Sequence, residues 1–131
     1  MLDRRALLAS TAAVLALPAA AASGGSHAAL NRLFDQFMKE NLDLSPTTVT
    51  SLGLDTGARA RQKSQIDDAS LAGIARSRAL TASQLARLKA VDRASLAPKD
   101  GVSYDVVLYG LRHNDEADRR FHYGPGGAGA P

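Results

Sequence analysis

His113 and His122 bracket Asp115, Glu116 and Asp118, the densest set of potential metal ligands in the sequence. Zinc on a helix takes two histidines four residues apart, as in His-Glu-x-x-His, with the glutamate as general base. Here the two histidines are nine positions apart. Nine helical residues turn through about 900°, which puts the rings on opposite faces. Asp118 and His122 do share a face at i, i+4, but a solvated charged helix accounts for them without a metal. His27 lies far along the chain from both. There is no cysteine, so neither a disulfide framework nor a zinc–thiolate site can form. No serine stands in Gly-x-Ser-x-Gly, and Asp67-Asp68 suits a helix cap better than a pair of carboxylates facing one cleft. Gly124, Gly126 and Gly129 match Gly-x-Gly-x-x-Gly, yet a dinucleotide site needs a strand before the glycines and a helix after them. A charged helical pattern precedes them here. No catalytic, cofactor-binding or metal-ligating residue is assigned.

The elements around these groups are helical. Leu30, Leu33, Phe34, Phe37 and Met38 fall at i, i+3, i+4, i+7 and i+8, one apolar face, with Asp35, Gln36, Lys39 and Glu40 on the other. Ser26 is placed to cap this helix. Ser45-Pro46 predicts a corner: Ser45 as a cap, Pro46 in the first turn of a short second helix, and Gly53 as its left-handed stop. Residues 56–64 have no apolar period and read as a basic loop or a loose helical turn. Asp67 or Asp68 is expected to cap a helix of about six turns, with Leu71, Ile74, Ala75, Ala82, Leu85 and Leu88 on its buried side and Arg78 interrupting the stripe. Thr81-Ala82-Ser83-Gln84 also fits a capping box; one continuous helix is preferred. A turn is expected over Leu96–Gly101, followed by a helix capped by Ser103 with Tyr104, Val107, Leu108 and Leu111 as its apolar face. Asp115–Arg119 and Glu116–Arg120 are i, i+4 pairs on that helix. Val106–Tyr109 suits a strand by propensity, but no partner strand can be found.

The fold class is therefore all-α: a short array of about four helices. Aromatic residues make up only 5% of the chain and tryptophan is absent, which fits an alanine-rich helical protein. A formal charge of +3 is too small to imply nucleic acid or a membrane as partner, and the arginines and lysines have no aromatic residues interleaved for stacking. Residues 1–22 read as an export signal. Arg4 and Arg5 form a twin-arginine start, Ala6–Leu17 is an apolar run too short to span a bilayer, and Ala20 and Ala22 supply the small residues of a cleavage site after Ala22. The twin arginines fit the Tat route, although arginine pairs also occur in Sec signals. Cleavage leaves no membrane span. The expected partners are the export machinery and a signal peptidase, and the expected location is the periplasm or the exterior of a bacterium. Residues 23–27 are expected as a linker, 28–123 as the helical segment and 124–131 as a glycine-rich loop.

The order of these features carries a resemblance. Leu-x-x-Leu-Phe-Asp-Gln-Phe comes first (Leu30–Phe37), then Leu44–Asp55, L-S-P-T-T-V-T-S-L-G-L-D, then Ile66–Ser70, I-D-D-A-S. Leu85, Leu88, Asp92 and Leu96 follow, and Tyr104–Leu111, Y-D-V-V-L-Y-G-L, closes the series. From about residue 28 onward the chain resembles the amino-terminal part of the domain-of-unknown-function 885 family. The resemblance implies an exported, mostly helical protein related to zinc peptidases of the His-Glu-x-x-His type. Family members are several times longer, and their zinc helix lies beyond the region matched here. The resemblance thus implies an amino-terminal, non-catalytic segment, a fragment of a larger helical domain, whose zinc and missing carboxy-terminal part belong to a longer parent. No zinc ligand or general base maps onto a position in this chain. The alternative is a complete small periplasmic helical protein that binds a partner or acts as an adaptor.

Overall fold

The computed structural model describes the backbone of residues 19–121 and the side chains of residues 25–121. It is all-α, with no strand among the described residues. Among the described residues four α-helices follow in order: α1, Ala19–Leu44; α2, Pro46–Ser51; α3, Leu71–Lys89; and α4, Pro98–Arg120. Two 3₁₀ segments, Gly57–Ser64 and Arg93–Ser95, join α2 to α3 and α3 to α4. The run Val106–Tyr109 is helical, because a lone strand would leave its backbone groups unpaired while helix α4 satisfies them internally.

The long helices α1, α3 and α4 share one core. Leu30 and Phe37 of α1, Leu88 of α3, Leu96 of the last linker and Tyr104 of α4 are buried together. Leu33, Phe34, Val91, Val107, Leu108 and Leu111 pack around them, partly covered. The expected face of α1 is present except at Met38, which is 59% exposed. It stands about 100° round the helix from Phe37, off the covered stripe. Residues 23–27, expected as a linker with Ser26 as a cap, are helical and belong to α1.

Helix α3 runs unbroken through Thr81–Gln84, as preferred. Its buried side differs from the expected one. Leu85 and Leu88 are buried, Ile74 is half-buried, and Leu71, Ala75 and Ala82 are exposed. The first turns of α3 lie beyond the shared core, so its stripe is covered only over the later turns. Gln84 is buried instead, because its amide donates to the Phe37 carbonyl and to Glu40 and Asn41 of α1. Arg78, which interrupts the stripe, faces buried Asp118 of α4 at 3.6 Å.

Two caps also fall elsewhere than expected. The N-cap of α3 is Ser70, whose Oγ accepts the Gly73 N–H at 3.1 Å. Helix α4 begins five residues before Ser103, with Pro98 in its first turn, where a missing N–H costs nothing. Ser103 lies inside that helix and donates to the Lys99 carbonyl at 3.4 Å. The Arg93 guanidinium lies against Gly101, 2.6 Å from where a Cβ would stand, so a larger residue there would have to push that side chain aside.

Candidate functional site

Among the described residues, three places that bring together polar or exposed groups beyond the needs of local helix formation are candidates for a site. The first joins α1 to the first turn of α4. His27 Nδ1 lies 2.7 Å from Asp100 Oδ1, and Asn31 Nδ2 lies 2.9 Å from His27 Nε2. A carboxylate only accepts, so Nδ1 carries the proton and Nε2 accepts from the Asn31 amide. Asp100 is buried in the first turn of α4. An aspartate orienting a histidine is also the supporting half of a nucleophilic triad. Here the nitrogen that would take a proton from a nucleophile is already engaged by Asn31, so the pair works as a clamp between two helices. Sequence reasoning set His27 aside as isolated. The available signal was its i, i+4 spacing to Asn31; the partner Asp100, 73 residues on, has no local signal.

The second place is the corner at Ser45–Asp55. Ser45 stands at the N-cap position but makes no side-chain cap bond. Asp67 caps α2 from across the chain: one oxygen accepts the Thr47 N–H at 2.9 Å and the other accepts the Ser45 hydroxyl at 2.9 Å. Burial raises the Asp67 carboxyl, but hydrogen bonds from the Thr47 N–H and from the Ser45 and Thr47 side chains outweigh it and hold the group below its ordinary value. Asp68 accepts the Ser70 N–H and pairs with Arg76, so neighbouring acids serve different helices. At the other end, Gly53 (φ +67°) takes the left-handed position expected of it. The Leu54 N–H reaches the Val49 carbonyl at 2.9 Å and the Gly53 N–H the Thr50 carbonyl at 3.0 Å, a Schellman closure. The 3₁₀ segment is fastened beside it: the Gln62 amide donates to the Leu42 carbonyl at 2.9 Å, and Arg59 pairs with Asp43 at 2.8 Å. This frame holds Leu52, Leu54, Ile66 and Leu71 exposed, the last two at 86% each. An open groove of about 490 Å³ runs past Leu44, Pro46, Ile66 and Arg76.

The third place is the outer face of α4. Val102, Val106 and Tyr109 are exposed there, Tyr109 at 74%. The His113 ring stacks on Tyr109, with centroids 6.2 Å apart and an interplanar angle of 10°. A shallow groove of about 390 Å³ follows this face along Asp105, Leu108, Tyr109, Arg112, His113 and Glu116. The two expected i, i+4 ion pairs are present, Asp115–Arg119 at 3.0 Å and Glu116–Arg120 at 3.9 Å.

Among the described residues, no group of three or more histidines and carboxylates is placed to hold a metal ion. The His27–Asp100 pair does not fit a zinc site either, since both ring nitrogens are committed. No described helix is long and apolar enough to cross a membrane. Arg4 and Arg5, His122, and the glycines at 124, 126 and 129 lie outside the described residues. Ala20 and Ala22, the expected cleavage residues, lie in the first turn of α1. Comparison of the chain with family models, with curated proteins and with solved structures finds no match.

Proposed function

We propose that this chain is the amino-terminal, non-catalytic segment of an exported protein resembling the domain-of-unknown-function 885 family. In this reading its helices wall a substrate cleft in a longer zinc-dependent peptidase or hydrolase. The observation that carries the reading is the corner. Two of the segments on which the resemblance rests, Leu44–Asp55 and Ile66–Ser70, meet through Asp67, and together they hold Ile66 and Leu71 exposed on a hydrogen-bonded frame. Apolar side chains fixed in place and left uncovered suit a surface that another part of a larger helical protein packs against.

The zinc and the general base belong to the longer parent, because metal-assisted hydrolysis needs about three protein ligands and an open position for water. Export precedes this role: residues 1–22 are removed, and the twin arginines direct the route. Metal analysis and a peptide-cleavage assay on this chain and on a protein extended beyond Pro131 test the reading. Zinc and cleavage are expected in the extended protein alone. Stoichiometric zinc in this chain, or an inert and metal-free extended protein, would overturn it. An intact mass of exported protein that still includes Met1 would remove the export step.

A second reading is favoured by one observation, the exposed Val102–Val106–Tyr109 stripe. On that reading the chain is a small periplasmic binding or adaptor protein without catalytic activity.

A further inference from the structure

Helix α4 carries two apolar faces, and α1 and α3 use only one of them. Tyr104, Leu108 and Leu111 turn toward the core. About 180° round the helix, Lys99, Val102, Val106, Tyr109, His113 and Glu116 succeed one another at alternating spacings of three and four, and all six are exposed. That spacing is the a/d register of a coiled-coil seam. Its middle is apolar, its amino-terminal end is positive and its carboxy-terminal end is negative.

We propose that this face binds a second copy of the same chain, with the two α4 helices antiparallel about a two-fold axis. Antiparallel pairing centred between Val107 and Leu108 sets Val106 against Tyr109 of the other copy and Val102 against its His113. It also sets Lys99 against Glu116 of the other copy. The two-fold axis repeats each contact. The seam is therefore complementary to its own reversal. Parallel pairing would instead place Lys99 on Lys99 and Glu116 on Glu116, which repel. Beside the seam, the same antiparallel arrangement brings Arg112 to Asp105 of the other copy. Among the described residues neither Lys99 nor Arg112 makes an ion pair within its own chain, whereas Glu116 and Asp105 already pair there with Arg120 at 3.9 Å and Arg93 at 2.7 Å, so across the axis each carboxylate would gain a second cation. The groove beside Tyr109, Arg112 and His113 is a hole of the kind a facing side chain fills in such a seam. This pairing is independent of the corner and of any zinc chemistry.

Sedimentation equilibrium of the full chain over a range of concentrations tests the proposal. The weight-average mass should rise with concentration from 13.7 kDa toward twice that value. Lys99→Glu and Glu116→Lys should each raise the dimer Kd about tenfold, and the double variant should return it to within about threefold of the parent. Val106→Asp should leave only monomer, with the far-ultraviolet circular dichroism unchanged as a check that the helices persist. A chain that stays monomeric at every concentration overturns the proposal and leaves the face to a helix of another protein. Association that survives Val106→Asp, or a charge-reversed double no tighter than the singles, also overturns it.

Discussion

Asp67 caps α2 across 20 residues of chain, a role that local spacing assigned to Ser45. Replacing it by alanine leaves the Thr47 N–H without an acceptor and should lower stability by about 1 kcal/mol in denaturant titration. Glu40 is another carboxylate that spans elements, joining α1 to α3. Its two oxygens accept from the two Arg87 Nη atoms, at 2.9 and 2.6 Å, and the guanidinium lies 4.8 Å over the Phe37 ring. The Arg87 hydrogen bonds hold Glu40 below its ordinary value of 4.5; burial opposes them, and the Gln84 amide and the Arg87 charge add to them. Asp67 is likewise held below 3.8, and Asp105 is lowered chiefly by its hydrogen bonds to Arg93. A carboxylate lowered in the folded state is protonated first in the unfolded chain as pH falls. Its contribution is complete above the ordinary value and is lost as pH drops through the folded one. The melting temperature should therefore be flat from neutral pH down to about 5 and fall below about 4.5. Glu40→Gln should lower the neutral plateau and make the acid decline shallower.

At the scale of the elements, two glycines in helices should respond oppositely to alanine. Gly73 sits in the first turn of α3, and a Cβ there would lie 2.0 Å from the Asp68 carbonyl oxygen. The backbone at that point is held by the Asp68 and Ser70 caps and cannot easily move aside. Gly73→Ala should destabilise by about 1–3 kcal/mol despite alanine's better helix propensity. Gly110 is in the middle of α4 with nothing within 4 Å of the position its Cβ would take. Gly110→Ala should stabilise by about 0.5–1 kcal/mol, because the glycine only adds backbone entropy to the unfolded chain. Thermal melts of the two variants beside the parent check both signs.

Over the whole molecule, the described core is thin. Its fully covered large side chains are Leu30, Leu88 and Val49, while apolar residues at the corner and on α4 face solvent. A chain of this size buries only about two-thirds of its unfolded surface even when well packed. The protein should therefore bind an apolar fluorescent dye and melt broadly. Ile66→Ser with Leu71→Ser should reduce dye binding and shift stability by no more than about 0.5 kcal/mol, since both side chains are already exposed. A sharp transition without dye binding in the parent would favour the small adaptor protein over the cleft wall.

That these segments are helices was legible locally, though not where α1 and α4 begin, because apolar spacing of three and four and the turn chemistry of Pro46 and Gly53 act within a few residues. The sequence also favoured one continuous α3 over a break at Thr81, as found, and it located the two ion pairs near the end of α4. Which side of each helix is covered was another matter. Gln84 went inside and Leu71 outside because α1 crosses the later turns of α3 and leaves its first turns bare, a fact about helix placement that no local pattern encodes. Helix α4 begins at Pro98, whose ring suits a first turn, and Ser103 lies inside it. The tertiary structure alone joined His27 to Asp100 and Asp67 to α2. Each joins residues 20 or more positions apart, and short-range periodicity carries no information at that separation.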